Sequence, residues 1–585
     1  MKAIIHHSKG ILMNFQSLPK DAEGVLNLRW SDLEPFANDL ESRVINKDNV
    51  EQWLLDWTVL SDIVSENYSR LSLATTVNTT DKQAEDTFNE FLDNLLPASR
   101  SAFQKLKVKL LDSGLQPEGF EIPLRNMQAE ADLYRDNNLT LLSEQQKLGL
   151  EYDKIIGAEV IEWKGEEITL SQAIQKLNDP DREKRETIWH KVLDRRLEDR
   201  KGINDLWGKF MENRAAIAKN AEKKSWREYV WQSYLRFDYS PDDCRSFHKA
   251  ISEVVVPAAS RIYEKHRMEL GLEKLRPWDL TDGWFGRPVE IGKPKLKPFE
   301  DMEMFERKTA NIFNHVDKTI GGYFKELEDN HLLDLPNRKN KAPGAYCTSF
   351  DVIRKPFVFM NAVGQHDDVQ TLLHESGHAF HVFESAGLPY SQQLNVPMEF
   401  AEVASMGMEF LAAPYLTQEF GGFYTAEEAA RARIEHMEGC ILFWPFMAVV
   451  DAFQHWVYEN PKAGSDPTSC DAKWEDLWNE FIPAVDWSGL DDELKTGWHR
   501  KLHIHQVPFY YVEYGMAQLG ATQIFANAQK DQAKAVASYR KALSLGGKVT
   551  LPELFAAAGG KFAFDKETVQ EAVSVLENSI ASLQE

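Results

Sequence analysis

The chain has 585 residues, 43% hydrophobic and 27% charged, the balance of an ordinary folded protein with a large core and room for two or three lobes. Acidic residues outnumber basic ones 91 to 67, giving a net charge of −24 and a pI near 5.2. That charge argues against nucleic acid and against an anionic membrane surface as partners.

The N-terminal stretch Met1–Lys9 lacks the apolar segment of a secretion signal, and no run reaches the length of a membrane-spanning helix. From residue 31 to 150, apolar and charged positions alternate at helical spacing, with breaks near Asn78–Asp81 and Ser113–Gly114. The pattern predicts several long antiparallel helices. Glu159–Leu170 reads as a β-hairpin turning at Lys164-Gly165. Helices resume at Ser171, with Pro180 opening the next. The charge run Asp181–Arg200 reads as a solvated helix face with i,i+4 pairs. Thr281–Pro298, rich in proline and glycine, predicts a long connection, and Phe299–Asp329 returns to helix.

Pro356–Ala362 opens with proline and carries β-branched and aromatic residues, which predicts an edge strand. Such a strand would hold an extended peptide by main-chain hydrogen bonds, although the same pattern fits a small structural sheet. The turn Gly344–Tyr346 precedes it. Gly344, Tyr346, Asn361 and Ala362 are therefore candidate substrate contacts.

The next segment, His374-Glu375-Ser376-Gly377-His378, reads H-E-x-x-H. Asp367 is the expected N-cap, with Gln370 three residues on, and Val369, Leu372, Leu373, Phe380 and Phe383 recur at helical spacing. Four residues advance a helix slightly more than one turn, so His374 and His378 share a face. Two imidazoles so placed can grip one zinc ion, with Glu375 beside the position left for water. A catalytic zinc usually takes three protein ligands. His381 shares the face, but seven residues from His374 amount to roughly 10.5 Å of rise, too far for one tetrahedral ion. His381 is read as supporting a ligand or a neighbouring carboxylate. The metzincin pattern needs a glycine at position 381 and a histidine at 384, where this chain has His381 and Glu384.

After a loop at Ser391–Pro397, Met398–Glu409 reads as a helix on which Glu402 and Glu409 share a face and Glu399 stands one turn earlier. Phe400, Val403, Met406 and Phe410 make the segment apolar, and carboxylates in such a setting need a partner, for which a metal serves. Spacing leaves Glu399 and Glu402 both open as the third ligand. Ile441–Val450 is apolar but short and reads as a buried helix. Further on, in His503–Gly515, Tyr511 and Tyr514 lie one helical turn apart. Phenolic hydroxyls there can donate to the oxyanion formed when water attacks a peptide carbonyl, and His503 can do the same or position the substrate. The four cysteines, Cys244, Cys347, Cys440 and Cys470, are far apart and form no metal pattern. Their sparseness suits a reducing compartment and, with the N-terminus, predicts a cytoplasmic protein.

With these pieces in order, the chain resembles the thimet oligopeptidase / oligoendopeptidase F family of zinc metallopeptidases, and within it the oligoendopeptidase F and Pz-peptidase branch. The matching residues are His374–His381, Phe400–Ser405 and Pro508–Tyr514, supported by Leu275–Leu280 and Gly344–Cys347. The resemblance implies His374, His378 and Glu402 as ligands of one zinc ion per chain and Glu375 as general base. It also implies Tyr511 and Tyr514 as oxyanion donors and His503 near the substrate. It leaves His381, Glu399 and Glu409 outside the ligand set. One departure stands out: thimet-type members have a glycine-rich loop before the tyrosines, whereas His503–Pro508 contains no glycine. The implied fold is mainly α, a two-lobed helical shell around a deep channel with a small β-sheet beside the zinc helix. Residues 1–195 are expected to form an N-terminal helical lobe with the hairpin, and 196–585 the catalytic region. The activity expected is cleavage of internal bonds in short unstructured peptides. The alternatives are a zinc carboxypeptidase of related fold and a non-catalytic peptide-binding protein. Nothing in the sequence fixes an oligomeric state.

Overall fold

The computed structural model describes residues 13–585; the stretch Met1–Lys9, read above for a secretion signal, lies outside them. In chain order the elements that position the site are α1 (Val50–Val77), α2 (Leu96–Ser113), β1 (Val160–Trp163), β2 (Glu166–Thr169), α3 (Arg182–Glu198), α4 (Met302–Val316) and α5 (Lys318–Asp329). There follow β3 (Leu333–Pro336), β4 (Tyr346–Phe350), β5 (Lys355–Ala362), α6 (His366–Ser385), α7 (Met398–Ala412), α8 (Ala426–Glu459) and α9 (Tyr511–Lys530). The described residues are mostly helical, with a two-stranded and a three-stranded sheet, as the resemblance implied.

Most local signals act where they were read. α1 and α2 end at the predicted breaks, and β1 and β2 pair antiparallel around Lys164 and Gly165, both at positive φ as a tight hairpin turn requires. Two readings need correction. Pro180 does not open α3: Asp181 caps it, its Oδ1 accepting the N–H groups of Glu183 and Lys184. Nor is the charge run wholly solvated. Arg185 is buried, donating to Trp278 O at 3.0 Å and to Asp279 Oδ1 at 3.1 Å.

The chain divides into two units. The first comprises residues 13–131, Phe299–Pro397 and Tyr539–Thr550. Its sheet has the order β3-β5-β4, with β3 parallel and β4 antiparallel to β5. The strand at 356–362 is therefore central, not an edge. Pro356 is tolerated because it sits next to the strand's start, opposite Ser349. The run Val358-Phe359-Met360 is buried throughout, as a strand covered on both faces must be, and α6 packs across it. The turn between β4 and β5 is fastened to α1 by the buried Glu66, whose Oε2 accepts from the N–H groups of Val352 (2.8 Å) and Ile353 (3.3 Å).

The second unit comprises Asp132–Pro298, Met398–Ser538 and Leu551–Glu585. Here α7 runs along α9, with α8 against α9. By length and composition α8 passes the test for a membrane-spanning helix, but 83% of its apolar window is buried inside the protein, as in a core helix. It contains the segment Ile441–Val450, which is buried apart from Phe443. Gly520 sets the spacing of α7 and α9. A Cβ there would stand 2.8 Å from Val403 Cγ2 and 2.8 Å from Phe555 Cε1. Gly520→Ala is expected to lower unfolding stability by about 1–2 kcal/mol, because overpacking outweighs the roughly 1 kcal/mol helix preference of alanine. Thermal unfolding checks this: Val403→Ala in the same chain should recover part of the loss, and additive losses would contradict the clash.

Candidate active site

The first unit contains the histidine helix. The β5–α6 turn is fixed by Asp368, whose Oδ2 accepts from the N–H groups of Val363, Gly364 and Gln365, each at 2.8 Å. The N-cap is thus Gln365, two residues ahead of the Asp367 expected from sequence, because the strand hands over to the helix without a spacer. About two turns in, the rings of His374 and His378 lie 5.1 Å apart at 83° to each other, both half-buried. Glu375 is buried, and its charge, after burial itself, raises the pKa of the Cys347 thiol on β4. The carboxylate therefore lies close to that strand. His381 is buried, and burial, then the charge of His378, lowers its pKa to about 3, so it stays neutral.

A metal fits this pair. An ion held about 2.0–2.1 Å from a ring nitrogen lies roughly 3 Å from that ring's centroid, so rings 5.1 Å apart can share one. Two neutral imidazoles with a carboxylate donor make a zinc-type set.

The second unit contains the candidate carboxylates and the tyrosines. On α7, the buried Glu402 accepts at Oε2 from Ser405 Oγ at 3.0 Å. Glu399, one turn earlier, accepts from the Tyr239 hydroxyl at 2.6 Å and lies 3.7 Å from Arg236 Nε. Glu409 pairs with His436 at 2.8 Å. At the start of α9, His503 stands 4.9 Å from the ring of Tyr511 and 6.0 Å from that of Tyr514. Burial, then repulsion from Lys501, lowers the His503 pKa to about 3. Burial, then the charge of Glu402, raises Tyr514 to about 12, and burial raises Tyr511 as well. Both phenols keep their protons and can act as donors. The structure thus gathers Glu402, Tyr514, Tyr511 and His503 at one end of α9.

The weaker candidates fall on the small sheet. Asn361 Nδ2 donates to Ala342 O (2.8 Å) and Gly344 O (2.9 Å), which holds the turn leading into β4. The Tyr346 hydroxyl is 2.5 Å from Thr76 Oγ1, and Ala362 O accepts from Asn337 N. A different cluster, buried Cys244, Asp451 and His455, has ligand atoms within 4.8 Å of one another. Arg227 donates to His455 Nδ1 at 3.1 Å, however, so the proton sits on Nε2, facing Asp451 at 3.3 Å. With Nδ1 accepting from Arg227 and the proton on Nε2, His455 has no lone pair left for a metal.

Sequence reasoning missed two participants. Tyr510 packs 5.4 Å from Tyr514, four residues on, and the i,i+4 spacing was there to be read. Arg236 carries no local signal. It donates through Nη2 to Phe509 O (2.7 Å) and Glu513 Oε1 (2.5 Å), more than 270 residues away in sequence.

Known proteins bear out the resemblance. Pz peptidase A, solved with an inhibitor, superposes with a TM-score of 0.84 at 25% identity over 97% of this chain and 99% of that one. A crystal structure assigned to oligoendopeptidase F gives 0.83 at 25% identity over the same shares. In sequence, 266 residues are 23% identical to oligopeptidase PepF of Bacillus subtilis (strain 168), covering 45% of this chain and 38% of that protein. The alignment therefore spans less than two thirds of PepF. The model of peptidase family M3 matches residues 176–574, more than half of the chain and inclusive of both site segments, and the chain belongs to that family.

Proposed function

We propose that the chain is a zinc-dependent oligoendopeptidase that hydrolyses internal bonds of short unstructured peptides. The observation that carries this reading is the pair His374 and His378 on one face of α6, with Glu375 between them, in a member of family M3. His374, His378 and Glu402 would hold the zinc. The engagement of Glu399 with Tyr239 and Arg236 supports Glu402 as the carboxylate ligand. When bound, zinc supplies a Lewis acid that polarises the scissile carbonyl and makes water a nucleophile near neutral pH.

The side chains do the rest. Glu375 takes the proton of the attacking water and returns it to the leaving amine. Tyr511 and Tyr514, held protonated, donate to the oxyanion. His503, held neutral, donates a hydrogen bond to the substrate without adding charge. His381 supports the metal ligands as a neutral imidazole. Peptide turnover in the cytoplasm is the role this reading assigns.

The test is an internally quenched peptide blocked at both ends. Wild type should cut it internally, lose activity with a chelator and regain it with zinc. Glu375→Gln should keep its zinc while kcat falls about 10²–10⁴-fold. Equal activity in the two would remove Glu375 from the mechanism, and a demand for a free C-terminus would point to a carboxypeptidase. Tyr511→Phe and Tyr514→Phe, each zinc-loaded, should lower kcat about 10²–10³-fold with smaller changes in KM. A loss confined to KM would make them substrate-binding groups instead.

A further inference from the structure

Two cations beside the tyrosine cluster have no counter-ion. Lys501 Nζ lies 3.9 Å from the ring centroid of Tyr511 and 5.3 Å from that of Phe446, and among the described residues no acceptor or carboxylate meets it. The guanidinium of Arg500 stacks 4.0 Å over Trp284, and its buried Nη2 has no hydrogen-bond partner. Asp282 is the acid whose charge reaches both, yet its Oδ1 is committed to the backbone N–H groups of Trp284 (2.8 Å), Phe285 (3.1 Å) and Gly286 (2.8 Å). Burial, then repulsion from Arg500, brings Lys501 to about 7; burial, then repulsion from Arg196, brings Arg500 to about 9. Both residues are half-buried, so each cation keeps hydrogen-bonding capacity that a ligand can use. With 91 acidic residues in the chain, a resident carboxylate was available to neutralise them, and none is placed there.

We propose that Lys501, backed by Arg500, is a carboxylate-binding subsite that receives an anionic group of the bound peptide. The inference rests on the peptidase reading above and deepens it. Lys501 leans on the ring whose hydroxyl is assigned to the oxyanion, and an extended peptide advances roughly 3.3–3.6 Å per residue. The anion is therefore within the first few residues of the scissile bond. Its source is either the peptide's C-terminus or an aspartate or glutamate side chain, since both present the same acceptor oxygens to an ammonium group.

The experiment uses three forms of one quenched peptide that wild type cuts. The first is amidated and free of acids, and the second has a free C-terminal carboxylate. The third is amidated, with glutamate in turn at each of the three residues after the cut. Affinity is measured on zinc-loaded Glu375→Gln, and kcat/KM on wild type. An acidic form should bind, and be used, about tenfold better than the neutral one, through KM. Whichever form gains identifies the source. Lys501→Gln should bring the acidic-to-neutral ratio to about one, and Lys501→Arg should keep most of it, each ratio being measured within one variant and so insensitive to folding losses. Equal affinity for every form, or a preference that survives Lys501→Gln, would overturn the subsite. An acid preference that holds while cleavage proves independent of zinc and of Glu375 would instead leave the subsite standing and sink the zinc-peptidase reading.

Discussion

A single buried guanidinium holds the candidate residues of the second unit in register. Arg236 donates to the Phe509 carbonyl and to Glu513, and it lies beside Glu399, which also accepts from Tyr239. Glu399 is one turn before Glu402 on α7, and Glu513 sits between Tyr511 and Tyr514 on α9. The two carboxylates repel each other, and burial together with that repulsion pushes the Glu513 pKa up. Arg236 lies against both carboxylates and opposes that repulsion. Losing one partner of such a network leaves buried charge uncompensated, at a cost of about 3–5 kcal/mol. Phe509, at φ +68° and with its N–H donating to Gln454, is held in a conformation rare for a bulky residue by the same network. The start of α9 is thus fixed before any substrate arrives.

The first unit solves the equivalent problem with backbone groups. Asp368 gathers three N–H groups at the head of α6, and Glu66 gathers two at the β4–β5 turn. Each carboxylate fixes a connection at one end of β5, so the strand that leads into the histidine helix is anchored at both ends. His374 and His378 then need nothing beyond helix geometry to present two rings together. Anchoring on main-chain groups of neighbouring residues demands little of the rest of the sequence, which is why a short pattern could reveal this half.

That difference explains what the sequence disclosed. The helix breaks, the hairpin, the H-E-x-x-H face and the tyrosine pair all depend on residues within a few positions of each other, and each was legible. The central place of β5 was not, because a proline at a strand's start looks the same in an edge strand and beside a neighbour that never needs its N–H. Arg185 was hidden inside a charge run because its acceptors, Trp278 and Asp279, lie more than 90 residues downstream. Spacing could not separate Glu399 from Glu402. Their difference lies in Tyr239 and Arg236, which reach Glu399 from another part of the chain. Local periodicity reports faces; it does not report which distant group a buried charge has already engaged.

The buried bases of the second unit carry that distinction further. Arg185 ends on the Trp278 carbonyl and Asp279, and Arg236 on the Phe509 carbonyl and Glu513. Arg214 ends on the Tyr458 hydroxyl and the carbonyls of Ile504 and His505. Each of the three meets oxygen acceptors that the fold itself provides, although Nε of Arg214 and both Nε and Nη1 of Arg236 are left without a hydrogen-bond partner. Arg500 and Lys501 are consecutive and half-buried, yet meet aromatic faces instead of oxygens. An aromatic face stabilises a cation by about 0.5–2 kcal/mol without supplying the acceptor that an ammonium group prefers. It keeps the charge in place and leaves its hydrogen bonds to be made. A protein with a net charge of −24 that leaves these two bases unanswered has kept their bonding capacity for a ligand that brings its own negative charge.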